Sequence, residues 1–326
     1  MLLIVTNKTD YTADFLILEL QKQGVEFVRF NTEDFPLSIE LSVDLSVGGD
    51  LDGYFNVYGK QLAFSDIGSI WYRRPVAPSL PEPTFDRVAQ DFITTESRYT
   101  LDSIWRVLNS FWVSHPDKLR AAETKLHQLI KAVQLGLTVP HTLISTSPEK
   151  VQGFYTAYNR QIIYKPQRYI QVDGDERVDL IYTNLVDEEK STHFDEVRFV
   201  PSLFQNYIPK ASELRITVIS NNVLTVQIHS QELKIAEHDW RRANSTELRH
   251  TPYNLPEEIS RKCVALVQSY GLAFGAIDMI LTPDGEYVFL EMNPNGQWAW
   301  IEQRCPEIHI REALIELLVK QDRTQL

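Results

Sequence analysis

The sequence predicts a mixed α/β protein, an open α/β N-terminal part followed by two α+β parts. Three observations carry this. "MLLIVT", "ADFLILELQKQ" and "VEFVRF" make a strand–helix–strand opening. From "QIIYKP" to about residue 230 the pattern is mostly β. Near the C-terminus, "FGAIDMILTPDGEYVFLEMNPNG" (274–296) reads as a strand–turn–strand unit.

Each element has its own signal. "MLLIVT" is a buried-strand run, and residues 13–23 follow as a helix with Thr12 placed to cap it and Gly24 to end it. Residues 37–64 read as short antiparallel strands with turns at Gly48-Gly49 and near Gly59. "IGSIWYRRP" is a strand that ends at Pro75, and 85–110 is mostly helical. A boundary near "VSHPDK" divides the chain into 1–114, 115–200 and 201–326. Leu119, Ala122, Leu126, Leu129 and Val133 recur at helical spacing and predict one helix ending at Gly136. "TVPHTLIS", a helix begun by Ser147-Pro148-Glu149, and "QIIYKP" come next. Helices at 257–270 and at about 310–320 flank the hairpin.

Composition narrows the function classes. With 326 residues, 43% hydrophobic and 23% charged, the chain has material for a real core. A net charge of −12 opposes general nucleic-acid binding, which needs basic surface. Cys263 and Cys305 lack partners at metal-ligand spacing, so neither a disulfide scaffold nor structural zinc is expected. The N-terminus reads as a strand rather than a signal peptide, and no apolar run is long enough for a membrane helix. A cytoplasmic setting without membrane partners is the expectation. G-x-S-x-G, G-x-x-x-x-G-K and H-E-x-x-H are all absent.

The hairpin poses a chemical question. With Asp284-Gly285 as a two-residue loop, Asp278 falls directly opposite Glu291, and Asn293 projects from the same face. Opposed carboxylates repel. Two readings stand: a divalent-cation site of hard oxygen ligands suited to Mg²⁺ or Mn²⁺, or a solvated acidic edge in another register.

The aspartate, the glutamate and the asparagine two residues after it, following "FGAID", resemble the magnesium site of ATP-grasp enzymes. The likeness extends over about 115–320, through "AAETKLHQLIKAVQLGLTVPHTLI", "IIYKP" and "LFQNYIPKASELRITVI". "WYRRP", "QIHSQ" and "DWR" narrow it to the RimK-like branch that cyclises microviridin-type (graspetide) precursor peptides. The resemblance implies an ATP-grasp fold with an open α/β N-terminal domain, a central domain and a C-terminal antiparallel-sheet domain. It implies ATP and Mg²⁺ as cofactors, with Asp278, Glu291 and Asn293 as metal ligands. Lys125 and Lys165 would neutralise phosphate oxygens, a contact worth about 4 kcal/mol for unit charges 4 Å apart at an effective dielectric near 20. Gln205, Asn206, Tyr207 and Ile208 would hold the adenine, Leu290 would floor it, and Glu213 would accept from the ribose hydroxyls. Arg215 would reach the γ-phosphate and the developing acylphosphate. The loop "PQRYIQVDGDERV" departs from glycine-rich family members, with Gly174 alone and Arg168 as a possible charge.

On the substrate side, Arg73 and Arg74 end a strand, and alternation points them to opposite faces, so one of the two is expected to grip a substrate carboxylate. Arg241, oriented by Asp239, is a second candidate for carboxylate or acylphosphate contact. The catalytic candidates are therefore Arg215, Arg241 and Arg74. "VDEEKSTHFDEV" clusters Asp187, Glu188, Glu189 and Asp195 around an apparent β-turn. Such a run is usually a solvated face, whereas the peptide-ligase likeness makes it an acidic hairpin that receives the precursor's leader. The implied activity activates Asp or Glu side chains as acylphosphates and closes intramolecular esters or amides, with a homodimer as a possible assembly. A RimK-like ligase acting on a free peptide or small acid, and a non-catalytic ATP-binding module, are the alternatives.

Overall fold

The computed structural model describes residues 1–80, 84–167, 171–173, 178–180, 182–243 and 247–324. β1 (Leu2–Thr6) is buried along its whole length, as its unbroken apolar run requires of a strand covered on both faces. It is followed by α1 (Tyr11–Lys22) and β2 (Phe27–Asn31). The cap of α1 is Asp10, not Thr12: its Oδ1 accepts from the backbone N–H groups of Thr12 at 3.1 Å and Ala13 at 3.4 Å. A carboxylate there also suits the positive end of the helix. Gly24, at φ +65°, lets the chain leave the helix as expected. β3 (Ile39–Leu45), β4 (Leu51–Val57) and β5 (Lys60–Ala63) make the antiparallel side sheet. β6 (Ser69–Tyr72), α2 (Arg87–Val107) and β7 (Phe111–Val113) complete a parallel sheet in the order β2-β1-β6-β7.

The helix expected between Leu119 and Gly136 is two helices, α3 (Pro116–Ala122) and α4 (Lys125–Gln134), with Thr124 extended between them. The break turns the buried face. Leu119, Ala122, Leu129 and Ala132 pack inward, while Leu126 and Val133 are about half exposed. It also places Lys125 at the first turn of α4. Gln128 locks α4 to the C-terminal sheet. Its Nε2 donates to the carbonyls of Ala122 at 2.6 Å and Met292 at 2.7 Å, and its Oε1 accepts from Met292 N–H at 2.8 Å. Gln128→Leu leaves both Met292 groups unpaired in the core, and should cost roughly 2–4 kcal/mol of stability in denaturant unfolding.

The central sheet has the order β12-β9-β13-β8, with β8 (Thr142–Ser145), α5 (Pro148–Ala157), β9 (Ile162–Lys165), β12 (Asn184–Leu185) and β13 (Ser202–Asn206). β10 (Gln171–Asp173) and β11 (Val178–Leu180) pair separately. The acidic run is not a hairpin. Asp187 caps α6 (Glu188–Ser191), accepting from Lys190 N–H at 2.9 Å, and a 3₁₀ turn over Phe194–Phe199 buries Phe194 and Val197. An aspartate followed by two glutamates is a helix start, and that local preference overrides the turn.

The C-terminal sheet runs β16-β15-β14-β17-β18. Its strands are β14 (Ser212–Ile219), β15 (Asn222–Ile228), β16 (His250–Pro252), β17 (Phe274–Leu281) and β18 (Tyr287–Asn293). α7 (Glu257–Gln268), α8 (Ala299–Arg304) and α9 (Ile310–Thr324) are its helices. The hairpin loop is one residue longer than expected. Thr282 N–H donates to Glu286 O at 3.0 Å around Pro283-Asp284-Gly285, and Gly285 sits at φ +84°. A bulge after Asp278 leaves Leu290 out of the ladder and restores the offset, so Asp278 does face Glu291.

One face of the C-terminal sheet joins α4 and α7 through Leu214, Ile216, Ile277, Met279 and Phe289. A second core crosses the expected boundary near residue 114. Leu2, Leu16 and Trp71 pack with Phe274, Trp298 and Leu314, so the N-terminal sheet and the C-terminal helices are built on shared apolar ground. Both cysteines are buried and free. Among the described residues, no helix is long and apolar enough to cross a membrane.

Candidate active site

The other face of β14, β17 and β18 meets the central sheet across a cleft of about 580 Å³, part of it open to solvent. Part of its lining is apolar, from Pro140, Ile163, Ile280 and Leu290. The bulge is what turns Leu290 out of the ladder toward this lining. The segment linking β13 to β14 is held in place by its backbone. Asn206 N–H donates to His141 O at 3.2 Å, its Oδ1 accepts from His141 N–H at 2.8 Å, and Tyr207 N–H donates to Gln161 O at 2.9 Å. Gln205 Nε2 donates to Thr142 Oγ1 at 3.0 Å.

The rest of the lining is largely charged. Asp278 takes both carboxylate oxygens to Arg215 Nη1 at 3.0 Å, across adjacent strands. Glu291 accepts from Lys125 Nζ and lies 3.8 Å from Arg241 Nη1. Arg241 is held by Asp239 through two bonds of 2.8 Å, so the orienting role read for Asp239 is present in the geometry. Glu213 accepts from Lys210 at 2.8 Å. Four carboxylates thus engage four cations, and Lys165 is left over. It is 6% exposed, and among the described residues its side chain forms no hydrogen bond or ion pair.

The electrostatics follow. Burial pushes the Lys165 ammonium below the usual lysine range, with Lys125 and Arg241 adding to the depression and Glu291 opposing it. Burial alone would raise the Glu291 carboxyl, but Lys165, Lys125 and Arg241 together hold it well below the usual range. Burial raises Glu213 against the pull of Lys210. An anion bound by Lys165 should therefore weaken as pH rises through the depressed lysine value, where the positive charge is lost. ADP affinity measured against pH should fall on the alkaline side, and Lys165→Arg should move that fall to higher pH.

Eleven of the residues read from the sequence line this one cleft: Lys165, Gln205, Asn206, Tyr207, Ile208, Glu213, Asp239, Arg241, Asp278, Leu290 and Glu291. Lys125 and Arg215 reach it through Glu291 and Asp278. Asn293 is exposed at the end of β18, opposite Ala276, with its Oδ1 accepting from Asn295 N–H at 3.1 Å. Arg74 is exposed beyond β6. Arg73, by contrast, is no exposed carboxylate grip: it is 1% exposed and paired with Asp10 at 3.3 Å. Asp187, Glu188, Glu189 and Asp195 lie outside the lining, and Arg168 and Gly174 lie outside the described residues. The sequence reading missed Lys210, His238 and Trp240, which come from irregular segments where no periodicity marks a face.

The donor set suits a hard divalent cation. Asp278 and Glu291 offer oxygens across one ladder rung, and Asn293 adds an amide oxygen on the same strand. Among the described residues, no group of three or more His, Cys, Asp or Glu is gathered to hold a metal alone. Few protein ligands completed by phosphate oxygens is the arrangement Mg²⁺ takes.

Comparison with known proteins agrees in fold. Residues 1–120 match the MvdD pre-ATP grasp domain, and residues 118–318 match the RimK-like ATP-grasp domain. The structure is similar to the Chryseobacterium gregarium RiPP-associated ATP-grasp ligase in complex with ADP and a leader and core peptide. That similarity has a TM-score of 0.90 and 29% identity, over 98% of this chain and 96% of that one. It is also similar to the macrocyclase MdnC from Microcystis aeruginosa MRC bound with precursor peptide MdnA, at TM-score 0.85 and 34% identity, over 98% and 99% of the two chains. The macrocyclase MdnB from the same organism gives 0.77 and 26%, over 98% of each chain. A comparison with curated proteins finds no match.

Proposed function

This chain belongs to the RimK-like ATP-grasp family, and from that premise we propose that it is an ATP-dependent ligase that crosslinks a ribosomal precursor peptide within itself. The observation that carries the reading is Lys165, buried and without a side-chain hydrogen bond or ion pair among the described residues, in a cleft lined by apolar side chains and by opposed carboxylates. A buried ammonium without a partner is costly unless an anion completes it. Adenine fits against the apolar lining, with Leu290 beneath it and Gln205–Ile208 along its edge. Glu213 takes the ribose hydroxyls, and Lys125 and Lys165 take phosphate oxygens.

Asp278, Glu291 and Asn293 would hold Mg²⁺, which would supply positive charge against the phosphates when bound. Arg215, fixed by Asp278, faces the phosphoryl group in transfer. A peptide Asp or Glu carboxylate attacks the γ-phosphorus and breaks its bond to ADP, giving an acylphosphate. A hydroxyl or amine of the same peptide then attacks the acyl carbon, loses its proton, and phosphate leaves. The peptide loses one water per ring. Arg241, rigid on Asp239, and Arg74 are the candidates for the substrate carboxylate. In this reading residues 1–114 serve the peptide, while 115–200 and 201–326 enclose the nucleotide. The exposed acids Asp187, Glu188, Glu189 and Asp195 offer a basic leader a negative surface, although Asp187, Glu188 and Asp195 each already face a cation, namely Lys190, Arg160 and Arg198.

The test is mass spectrometry of a candidate precursor incubated with the protein, Mg²⁺ and ATP. The expected product is lighter by one water per ring, and it depends on ATP and on the leader. An unchanged peptide, with ATP hydrolysed when amino acids or small amines are added, would replace this reading with ligation of a free acid.

A further inference from the structure

Arg73 ranks among the bulkiest fully buried side chains, and it comes from the end of β6 in the N-terminal sheet. A guanidinium withdrawn from water needs strong partners, and its partners lead to the site. Its Nε donates to Asp10 Oδ2 at 3.3 Å, an oxygen that also accepts from Thr6 Oγ1 at 2.8 Å. Its Nη1 donates to Asn295 O at 3.3 Å, Asn295 Oδ1 at 3.4 Å and Gly296 O at 3.2 Å. Asn295 Nδ2 returns a bond to Arg73 O. The N-terminal sheet thus grips Asn295 and Gly296, just beyond β18.

The far side of that segment touches two residues of the proposed machinery. Asn295 N–H donates to Asn293 Oδ1 at 3.1 Å, and Gly296 N–H donates to Asn293 O at 3.3 Å. Arg215 Nη2 donates to Gln297 O at 3.4 Å. A Cβ on Gly296 would stand 2.7 Å from Arg215 Nη2 and 2.6 Å from the Ala276 Cβ, so bare backbone lies flat against the guanidinium. We infer that Arg73 is a positioning residue. Through Asn295 and Gly296 it fixes the amide oxygen of Asn293 and the direction of Arg215, coupling the N-terminal sheet to metal and phosphate binding. This rests on the ATP-grasp reading above.

The experiment uses Arg73→Gln and Asn295→Ala in the full chain. Mn²⁺ uptake by the ADP-loaded protein is read from the loss of free-Mn²⁺ EPR signal, alongside ADP affinity without metal and the Mg²⁺ dependence of kcat. Both variants should lose roughly 10- to 100-fold in Mn²⁺ affinity, the usual cost of removing support behind a metal ligand. They should need correspondingly more Mg²⁺, while metal-free ADP affinity stays at the wild-type value. A purely structural role would lower the melting temperature and leave the Mn²⁺ affinity of the folded fraction alone. Folded variants with wild-type Mn²⁺ affinity and Mg²⁺ dependence overturn the inference. Asn295→Ala, which keeps the buried pair intact, decides the matter if Arg73→Gln does not fold. Wild-type protein that takes up no Mn²⁺ with ADP overturns the functional reading itself, a result distinct from wild-type uptake with unaltered variants.

Discussion

Glu291→Gln should reduce ATP turnover by about 10³-fold or more, and Asp278→Asn should do the same, because each removes a charge aimed at the transferring phosphoryl group's counter-ion. The contrast is one of charge and not of shape. The cations around Glu291 hold its carboxyl well below the usual range, so at any working pH the native side chain is an anion and the amide is not. The fold should survive. Lys125 is 20% exposed at its side chain and can turn toward water when its partner is neutralised. Arg215 retains its bond to Gln297 O when Asp278 loses its charge. The measurement is phosphate release at saturating ATP, Mg²⁺ and precursor, with ADP affinity without metal as the control. For Asp278→Asn the control should hold near the wild-type value, since the adenine and Lys165 contacts are untouched. Full turnover in either variant would remove the metal assignment, and with it the reason for two acids to face each other across β17 and β18.

That pair also shows how far the sequence could be read. The Asp284-Gly285 signal located the hairpin but not its loop length, because Pro283 joins the turn. The facing pair came out right only because the bulge at Leu290 cancels the extra loop residue. Strand-borne site residues were legible because alternation is a strict rule: Glu213 and Arg215 share a face of β14, and Asp278 lies opposite Arg215. The helical residues were less so. A regular apolar spacing concealed the break at Thr124, since Leu126 and Val133 fit a continuous face that packing does not use. The acidic run's charge pattern suggests a turn, but its aspartate and two glutamates start a helix at Asp187. Arg73's setting is not legible for another reason: its partners Asp10 and Asn295 lie 63 and 222 residues away, and no local pattern records them. Lys210, His238 and Trp240 belong to segments without a period, where only the folded sheet decides what faces the cleft.

Lys165→Met should weaken ADP binding by roughly 30- to 1,000-fold, the range for deleting one partner of a desolvated charge pair, and should leave the ligand-free protein no less stable than wild type. The two effects have one origin. In the ligand-free protein the ammonium is buried without a hydrogen-bond partner among the described residues, and burial depresses its pKa, which means the charged form is disfavoured where it stands. A methionine of similar length fills the space without that penalty. Glu291 loses one of three cations but keeps Lys125 and Arg241, so it is not left as an unpaired buried charge. Thermal melts without nucleotide should therefore give the variant a melting temperature equal to or above that of wild type. Melts with saturating ADP should reverse the order, since wild type gains the larger stabilisation from binding. A variant that is clearly less stable without nucleotide would mean that Lys165 is held by the protein's own carboxylates, as a structural lysine. A variant with undiminished ADP affinity would mean the phosphates lie elsewhere in the cleft. The crossing of the two melting orders is the signature of a charge kept at a cost in the fold and recovered only when an anion arrives.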